Sequence, residues 1–147
     1  MNRILIVGFG NPLRSDDGLG WHVALELSRE LSGNKVHVVA VQQLTPDLAE
    51  AASRAELALF VDAAYNREPG SLTCEPIEPA ASVGRYSHEL SPAIVLALAK
   101  ELYGRCPPAH LLTIAGESFE TGETMSPSVV AAIPALVERI KQFVHCD

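Results

Sequence analysis

Two adjacent carboxylates, Asp16 and Asp17, sit in the run Gly8-Phe9-Gly10-Asn11-Pro12-Leu13-Arg14-Ser15-Asp16-Asp17-Gly18-Leu19-Gly20, directly behind the apolar stretch Ile4-Leu5-Ile6-Val7. A buried strand that ends in glycines and presents acids at the mouth of a helix marks a site, because loops at strand ends are where chemistry is placed. Asp62 closes the apolar run Leu57-Ala58-Leu59-Phe60-Val61, and His88 precedes a helix opened by Ser91-Pro92. In an open parallel sheet the carboxyl ends of the strands share one edge, so Asp17, Asp62 and His88 can converge although far apart in sequence. Two carboxylates and an imidazole form an oxygen, oxygen, nitrogen set. That set suits a borderline divalent cation such as zinc or nickel, with positions left for water or a substrate group.

Each residue has a plainer role to weigh. Asp16 or Asp17 can cap the helix that begins near Gly18, a common task for Asp worth about 1 kcal/mol; capping accounts for one acid, not two. Asp62 can satisfy loop amides as a turn residue, yet an acid right after five apolar residues lies near the sheet edge where such folds place ligands. His88 alone is as consistent with a loop residue as with a ligand. His22, on a helix, His37 and His110, in or beside strands, and His145, in the tail, have less of a case. Gly8-x-Gly10 resembles the start of a dinucleotide fingerprint, but the third glycine is replaced by Leu13, and two acids at a helix mouth repel the phosphate that such a site takes. No Gly-x-Ser-x-Gly elbow is present, and Ser87 beside His88 does not set a hydroxyl against an imidazole. Metal-assisted chemistry is the physical reading these residues favour.

The elements needed to position them are legible. Val36-His37-Val38-Val39-Ala40-Val41, residues 57–61 and Leu111-Leu112-Thr113-Ile114-Ala115 are near-continuous apolar runs, as expected of strands buried on both faces. Between them, Leu19, Val23, Leu27 and Leu31 repeat every four residues, as do Leu90, Ile94, Leu98 and Leu102, predicting helices. Ser126-Pro127 predicts an N-cap and first helical position for a last helix through Val130, Ile133, Val137 and Ile140, with a kink or break at Pro134. Gly70-Ser71-Leu72-Thr73-Cys74-Glu75 reads as a shorter, polar edge strand after the turn at Pro69-Gly70. The alternation predicts an α/β fold: one domain over 1–147, a mostly parallel twisted sheet of about five strands, and helices on both faces.

With 147 residues and 48% hydrophobic content the chain can build one real core. A net charge of -7, with eleven Lys and Arg, argues against nucleic acid or an anionic membrane as partner. No apolar run approaches the roughly 20 residues of a membrane span, and the chain opens into a strand rather than a signal-peptide pattern, so a soluble, cytoplasmic protein is expected. Cys74, Cys106 and Cys146 are scattered, without the close pairs of zinc sites, and read as reduced thiols with no shared role.

Taken in order, Ile4-Leu5-Ile6-Val7-Gly8-Phe9-Gly10-Asn11, then Leu13 with Asp16-Asp17-Gly18-Leu19-Gly20, Phe60-Val61-Asp62-Ala63, His88-Glu89-Leu90 and Ser126-Pro127 resemble the nickel-iron hydrogenase maturation proteases almost end to end. These endopeptidases trim the C-terminal peptide from the precursor of the hydrogenase large subunit. The resemblance implies an aspartyl-type hydrolase with that precursor as partner, and it puts the family's metal-contacting acid, acid and histidine on Asp17, Asp62 and His88. It implies further that these residues read a nickel ion supplied by the precursor, with zinc or cadmium able to substitute in vitro, so that cleavage follows metal loading. Whether the metal polarises the scissile carbonyl or activates water stays open.

Two departures stand out. Some members carry Glu where this chain has Asp17, which would draw the metal closer to the backbone. Many have a Gly-Gly-Thr-like turn after the second strand, where this chain has Gln42-Gln43-Leu44-Thr45-Pro46. That form is similar to the variant associated with bidirectional, NAD-linked hydrogenases. Because no nucleophile is self-evident, a non-catalytic, nickel-dependent chaperone docking on the precursor is the competing function.

Overall fold

The run of four apolar residues after Arg3 forms β1 (Ile4–Phe9), whose first five side-chain positions are all buried. In the computed structural model, which describes residues 3–31, 33, 35–81 and 90–145, that strand lies inside a five-stranded sheet of order β2-β1-β3-β5-β4. The other strands are β2 (Val36–Val41), β3 (Leu57–Ala64), β4 (Leu72–Ile77) and β5 (Ala109–Ala115), and the helices are α1 (Leu19–Glu30), α2 (Leu48–Arg54), α3 (Pro92–Tyr103) and α4 (Pro127–His145). β1 pairs in parallel with β2 and β3, and β3 in parallel with β5; only β4 runs antiparallel, on β5. The expected α/β architecture is present, with the polar strand at an edge.

Because β1 and β3 alternate inward side chains on both faces, the sheet carries two cores. Leu5, Val7, Ala58 and Phe60 pack with Leu48, Ala49 and Ala52 of α2 and Val95, Leu96 and Ala99 of α3. Ile4, Ile6, Leu59, Val61, Leu112 and Ile114 pack on the other face with Leu19, Val23 and Leu27 of α1 and Leu136 and Ile140 of α4. Phe60 is fully buried, and its truncation to Ala costs about 3–5 kcal/mol. Cys106 packs against the first core and Cys74 against the second, so they lie on opposite faces and both are free thiols; Cys146 lies outside the described residues.

Two helical expectations are corrected, and of the kink or break expected at Pro134 the break is excluded. In α3 the buried run is Val95 to Ala99, while Leu102 is 62% exposed. A strict four-residue repeat drifts about 40° around a helix at each step, so its last member leaves the core. In α4 the buried positions are Val129, Leu136 and Ile140, and Val130 faces solvent. The helix also runs unbroken through Pro134. Both Pro134 and Val130, whose carbonyl the missing N–H would have bonded, are exposed, so water can satisfy that oxygen. Among the described residues no helix is long and apolar enough to cross a membrane.

The chain leaves β1 for β2 on one side and returns to β3 on the other, so the order of strands switches between β1 and β3. The crevice outside that switch point is where open α/β sheets bind ligands. A Cβ on Gly8 would strike the Gly20 carbonyl, and one on Gly20 would strike the carbonyls of Val61 and Phe9. The first turn of α1 therefore lies directly on the ends of β1 and β3, and that approach requires both glycines.

Candidate functional site

The loop after β1 is built to aim Asp17. Gly10 has φ 146, and any Cβ there would meet the Asp17 carbonyl. Asn11 folds the next turn: its side-chain Oδ1 accepts from Leu13 N at 2.9 Å and its carbonyl from Arg14 N at 3.1 Å. A 3-10 turn over Ser15–Gly18 follows. Asn11 N then donates to Asp17 Oδ2 at 2.9 Å. The other oxygen, Oδ1, accepts from the Tyr65 hydroxyl at 3.1 Å. Gly10 N donates to Val41 O at 3.2 Å, bringing the turn that begins at Gln42 to the same edge.

Asp62 stands within β3, opposite Thr113, with the strand continuing to Ala64. The expectation that it follows the strand is corrected: a strand buried on both faces has no polar alternation to mark its end. By alternation Asp62 continues the row of Ala58 and Phe60, on the face covered by α2 and α3. Its neighbour Thr113 shares its hydroxyl with Thr73 across β4 at 2.6 Å. Asp62 Oδ1 accepts from Ala63 N at 2.8 Å. Burial pushes the Asp62 carboxyl up to about 7; the Ala63 amide opposes the rise and the charge of Asp17 adds to it. The two carboxylates therefore feel one another at the switch point.

Tyr65 follows β3 directly. Its ring stacks on Phe119, with centroids 4.1 Å apart and planes at 25°. Burial first, and then the charge of Asp17, push its hydroxyl up to about 12, so it remains a donor.

Asp16 works elsewhere. It is fully buried, and it accepts from Glu117 N at 2.8 Å, Ser118 N at 2.9 Å, Ser126 N at 2.6 Å and Ser126 Oγ at 2.7 Å. Burial alone would raise its carboxyl, but these donors outweigh it and hold Asp16 below the usual range. Neither acid caps α1, whose N-cap is Gly18 without a side-chain bond. Ser126 holds the expected N-cap position of α4, its carbonyl accepting from Val130 N at 3.0 Å, and its hydroxyl donates to Asp16.

The partner of the first loop is thus the segment 116–126, which the motif reading did not include in the site. Ser15 N donates to Gly122 O at 2.8 Å, Gly122 N to Leu13 O at 2.9 Å and Asp16 N to Ser118 O at 3.0 Å. Arg14 Nε donates to Phe119 O at 3.3 Å and Ser15 Oγ to Glu120 O at 2.8 Å. Gly116 admits this fold-back, since a Cβ there would run into the Phe119 ring and, at 2.9 Å, into Asp16 Cβ.

Asp17 and Asp62 are brought together, while His88 lies outside the described residues, four positions before α3. Among the described residues no cluster of three metal-ligating side chains forms. The charge of Asp17 is felt at Asp62, and two carboxylates that sense one another have the chemistry to hold a divalent cation, with a nitrogen ligand able to complete the set. Of the remaining four histidines, His22 lies on α1, His37 on β2, His110 on β5 with its ring 4.8 Å from that of Phe143, and His145 at the end of α4, and none joins the two acids in a cluster of three. A cavity of about 260 Å³ lined by Arg3, Lys35, His37 and Arg54 opens at the amino ends of β1 and β2, the edge opposite Asp17 and Asp62.

No protein-family model matches the chain, and no curated protein matches it in sequence. Solved structures do match. The nickel-iron hydrogenase maturation protease HycI from Thermococcus kodakarensis superposes with a TM-score of 0.77 at 25% identity, over 97% of this chain and 92% of that one. The hydrogenase 2 maturation peptidase from a Thaumarchaeota archaeon matches with a TM-score of 0.72 at 23% identity, over 99% of both chains. The hydrogenase maturating endopeptidase HybD from E. coli matches with a TM-score of 0.70 at 23% identity, over 94% of this chain and 89% of that one. These three structural neighbours, which match over nearly the whole chain, are hydrogenase maturation proteases, the family that the motifs resemble.

Proposed function

We propose that this chain is a cytoplasmic endopeptidase that removes the C-terminal peptide from a nickel-loaded hydrogenase large-subunit precursor, contacting the nickel through Asp17, Asp62 and His88. Homology to the maturation proteases supports a role in hydrogenase maturation, and the names of those neighbours support peptidase activity. One observation on this chain carries the finer reading. Asp17, in the loop after β1, and Asp62, near the end of β3, stand at the switch point of the sheet, and the Asp62 carboxyl is pushed up to about 7 by burial and by the charge of Asp17. A divalent cation relieves both causes at once, replacing the proton on Asp62 and the repulsion between the acids.

In this reading the nickel is part of the substrate, held mainly by the precursor, and zinc or cadmium can stand in for it in vitro. The chain would supply two oxygens, from Asp17 and Asp62, and a nitrogen from His88. Asp17 is aimed by Asn11 N, and below about pH 7 the Asp62 carboxyl would give up a proton as the cation binds. Bound nickel would supply Lewis-acid polarisation.

The test is a cleavage assay on a large-subunit precursor with and without nickel, read by mass. The proposal expects shortening of the nickel-loaded form alone, and its loss in Asp17→Ala, Asp62→Ala and His88→Ala. Equal cleavage of both forms overturns the metal check. Stable binding without any change in mass would assign the chain to the non-catalytic, nickel-dependent chaperones instead.

A further inference from the structure

Asp17 is held from two sides by very different groups. On one, the Asn11 amide is part of a loop fixed by Gly10 and by the turn within Asn11 to Arg14. On the other, the donor is a side chain that is 55% exposed, the hydroxyl of Tyr65 at 3.1 Å from Oδ1. An exposed tyrosine ordinarily exchanges rotamers and gives its hydroxyl to water. Tyr65 instead lies against Phe119, centroids 4.1 Å apart. Phe119 is itself secured: Arg14 Nε holds its carbonyl, and the amides of the two residues before it, Glu117 and Ser118, are tied to the buried Asp16. A chain of contacts therefore runs from Asp16 through the 116–126 segment and the Phe119 ring to the hydroxyl on Asp17.

We propose that Tyr65 is a positioning residue for Asp17, braced by Phe119, which presents the carboxylate to a divalent cation in one orientation. This rests on Asp17 being a metal contact. A carboxylate oxygen has two lone pairs, so the hydroxyl can keep one of Oδ1 while the cation takes the other. Partners behind a ligand set its angle, and a ligand that must be ordered on binding gives a weaker site. Asp62 follows a different plan, with its own Ala63 amide as holder; Tyr65 supplies the brace for the acid that comes from a loop.

The experiment titrates the full chain with nickel ion by calorimetry and, in parallel, measures its affinity for a nickel-loaded precursor. Wild type is compared with Tyr65→Phe, Phe119→Ala and the double variant. Tyr65→Phe keeps the ring stack and loses only the hydroxyl. It should weaken nickel binding roughly tenfold, the lower end for losing a partner behind a metal ligand, with an unchanged melting temperature. Phe119→Ala should weaken binding less, and its effect should vanish in the Tyr65→Phe background, since the ring acts through the hydroxyl it steers. Wild-type or tighter affinity in Tyr65→Phe overturns the role of Tyr65, and losses that add in full overturn the brace. If wild type binds neither nickel nor the loaded precursor, the reading of Asp17 as a metal contact falls and the inference with it. If wild type binds and Tyr65→Phe binds equally, only the inference falls.

Discussion

Asp16 and Ser126 are joined twice across 110 residues of chain, the Ser126 amide donating to Oδ1 at 2.6 Å and its hydroxyl to Oδ2 at 2.7 Å. With Glu117 N and Ser118 N on the same carboxylate, this pair closes the 116–126 segment onto the loop that carries Asp17. The acidic pair thus divides its work, one acid tying two loops together and the other facing the site.

Replacing Asp16 with Ala leaves these donors buried without an acceptor. We expect Asp16→Ala to lose about 2–4 kcal/mol of stability, the scale of losing charge-assisted hydrogen bonds within one network. Asp16→Asn should be nearly as costly, because its amide group would point a donor at other donors. The sign with pH follows from the lowered carboxyl: the Asp16 contribution is fully present above the unfolded value of about 3.8 and is lost as pH falls through the lower folded value. Denaturant unfolding at neutral and acidic pH should show the difference between wild type and Asp16→Asn shrinking towards low pH. A constant difference would place the effect in packing instead of charge.

Asp62 has the opposite sign. Its folded value is raised to about 7, so its contribution is fully present below about 3.8 and is lost as pH rises through 7. Metal-free Asp62→Asn should therefore gain on wild type across that window, by roughly 2–4 kcal/mol at its upper end. A divalent cation must displace the same proton. Nickel affinity should therefore climb with pH up to about 7 and flatten above it, with the proton release visible by calorimetry in buffers of different ionisation enthalpy. A flat profile from pH 5.5 to 8 would remove Asp62 from the ligands.

Asp17→Asn separates the two causes of that shift. It deletes the charge that adds to burial but keeps a side chain of the same shape for Asn11 N and Tyr65 to meet. We expect the Asp62 carboxyl, followed by NMR, to drop from about 7 without reaching the ordinary carboxylate range, since burial is the larger cause. A full return to that range would reverse their order.

The strands and their edge could be read from the chain because parallel strands buried on both faces are continuous apolar runs, as residues 4–7 and 57–61 show. The approach of Asp17 to Asp62 followed from their place behind two such runs. The task of Asp16 could not be read in this way. Its partners stand 101 to 110 positions away, and a Ser-Pro pair that opens a helix gives no sign that the serine hydroxyl also donates to a distant acid. The end of β3 was hidden for a related reason, since Asp62 keeps the strand conformation that its polarity argues against. Helix faces failed at Leu102, where a four-residue repeat was extended too far, and at Val130, where the buried position is its neighbour Val129.

The glycines at 8 and 20 offer a test of the frame apart from the carboxylates. A methyl group on Gly20 would strike the backbone carbonyls of Val61 and Phe9, which belong to central strands and cannot give way as a flexible side chain could. Gly20→Ala should push the first turn of α1 off the sheet and lose about 2–4 kcal/mol or more, at the upper end of overpacking effects. Because that turn follows Asp17 and overlies Val61, the residue before Asp62, the damage should reach the site. Nickel affinity should fall more in Gly20→Ala than in an α1 variant of equal stability loss farther along, such as Leu27→Ala, which empties the core behind the same helix. Equal affinity in two such stability-matched variants would mean that the approach of α1 serves the fold alone.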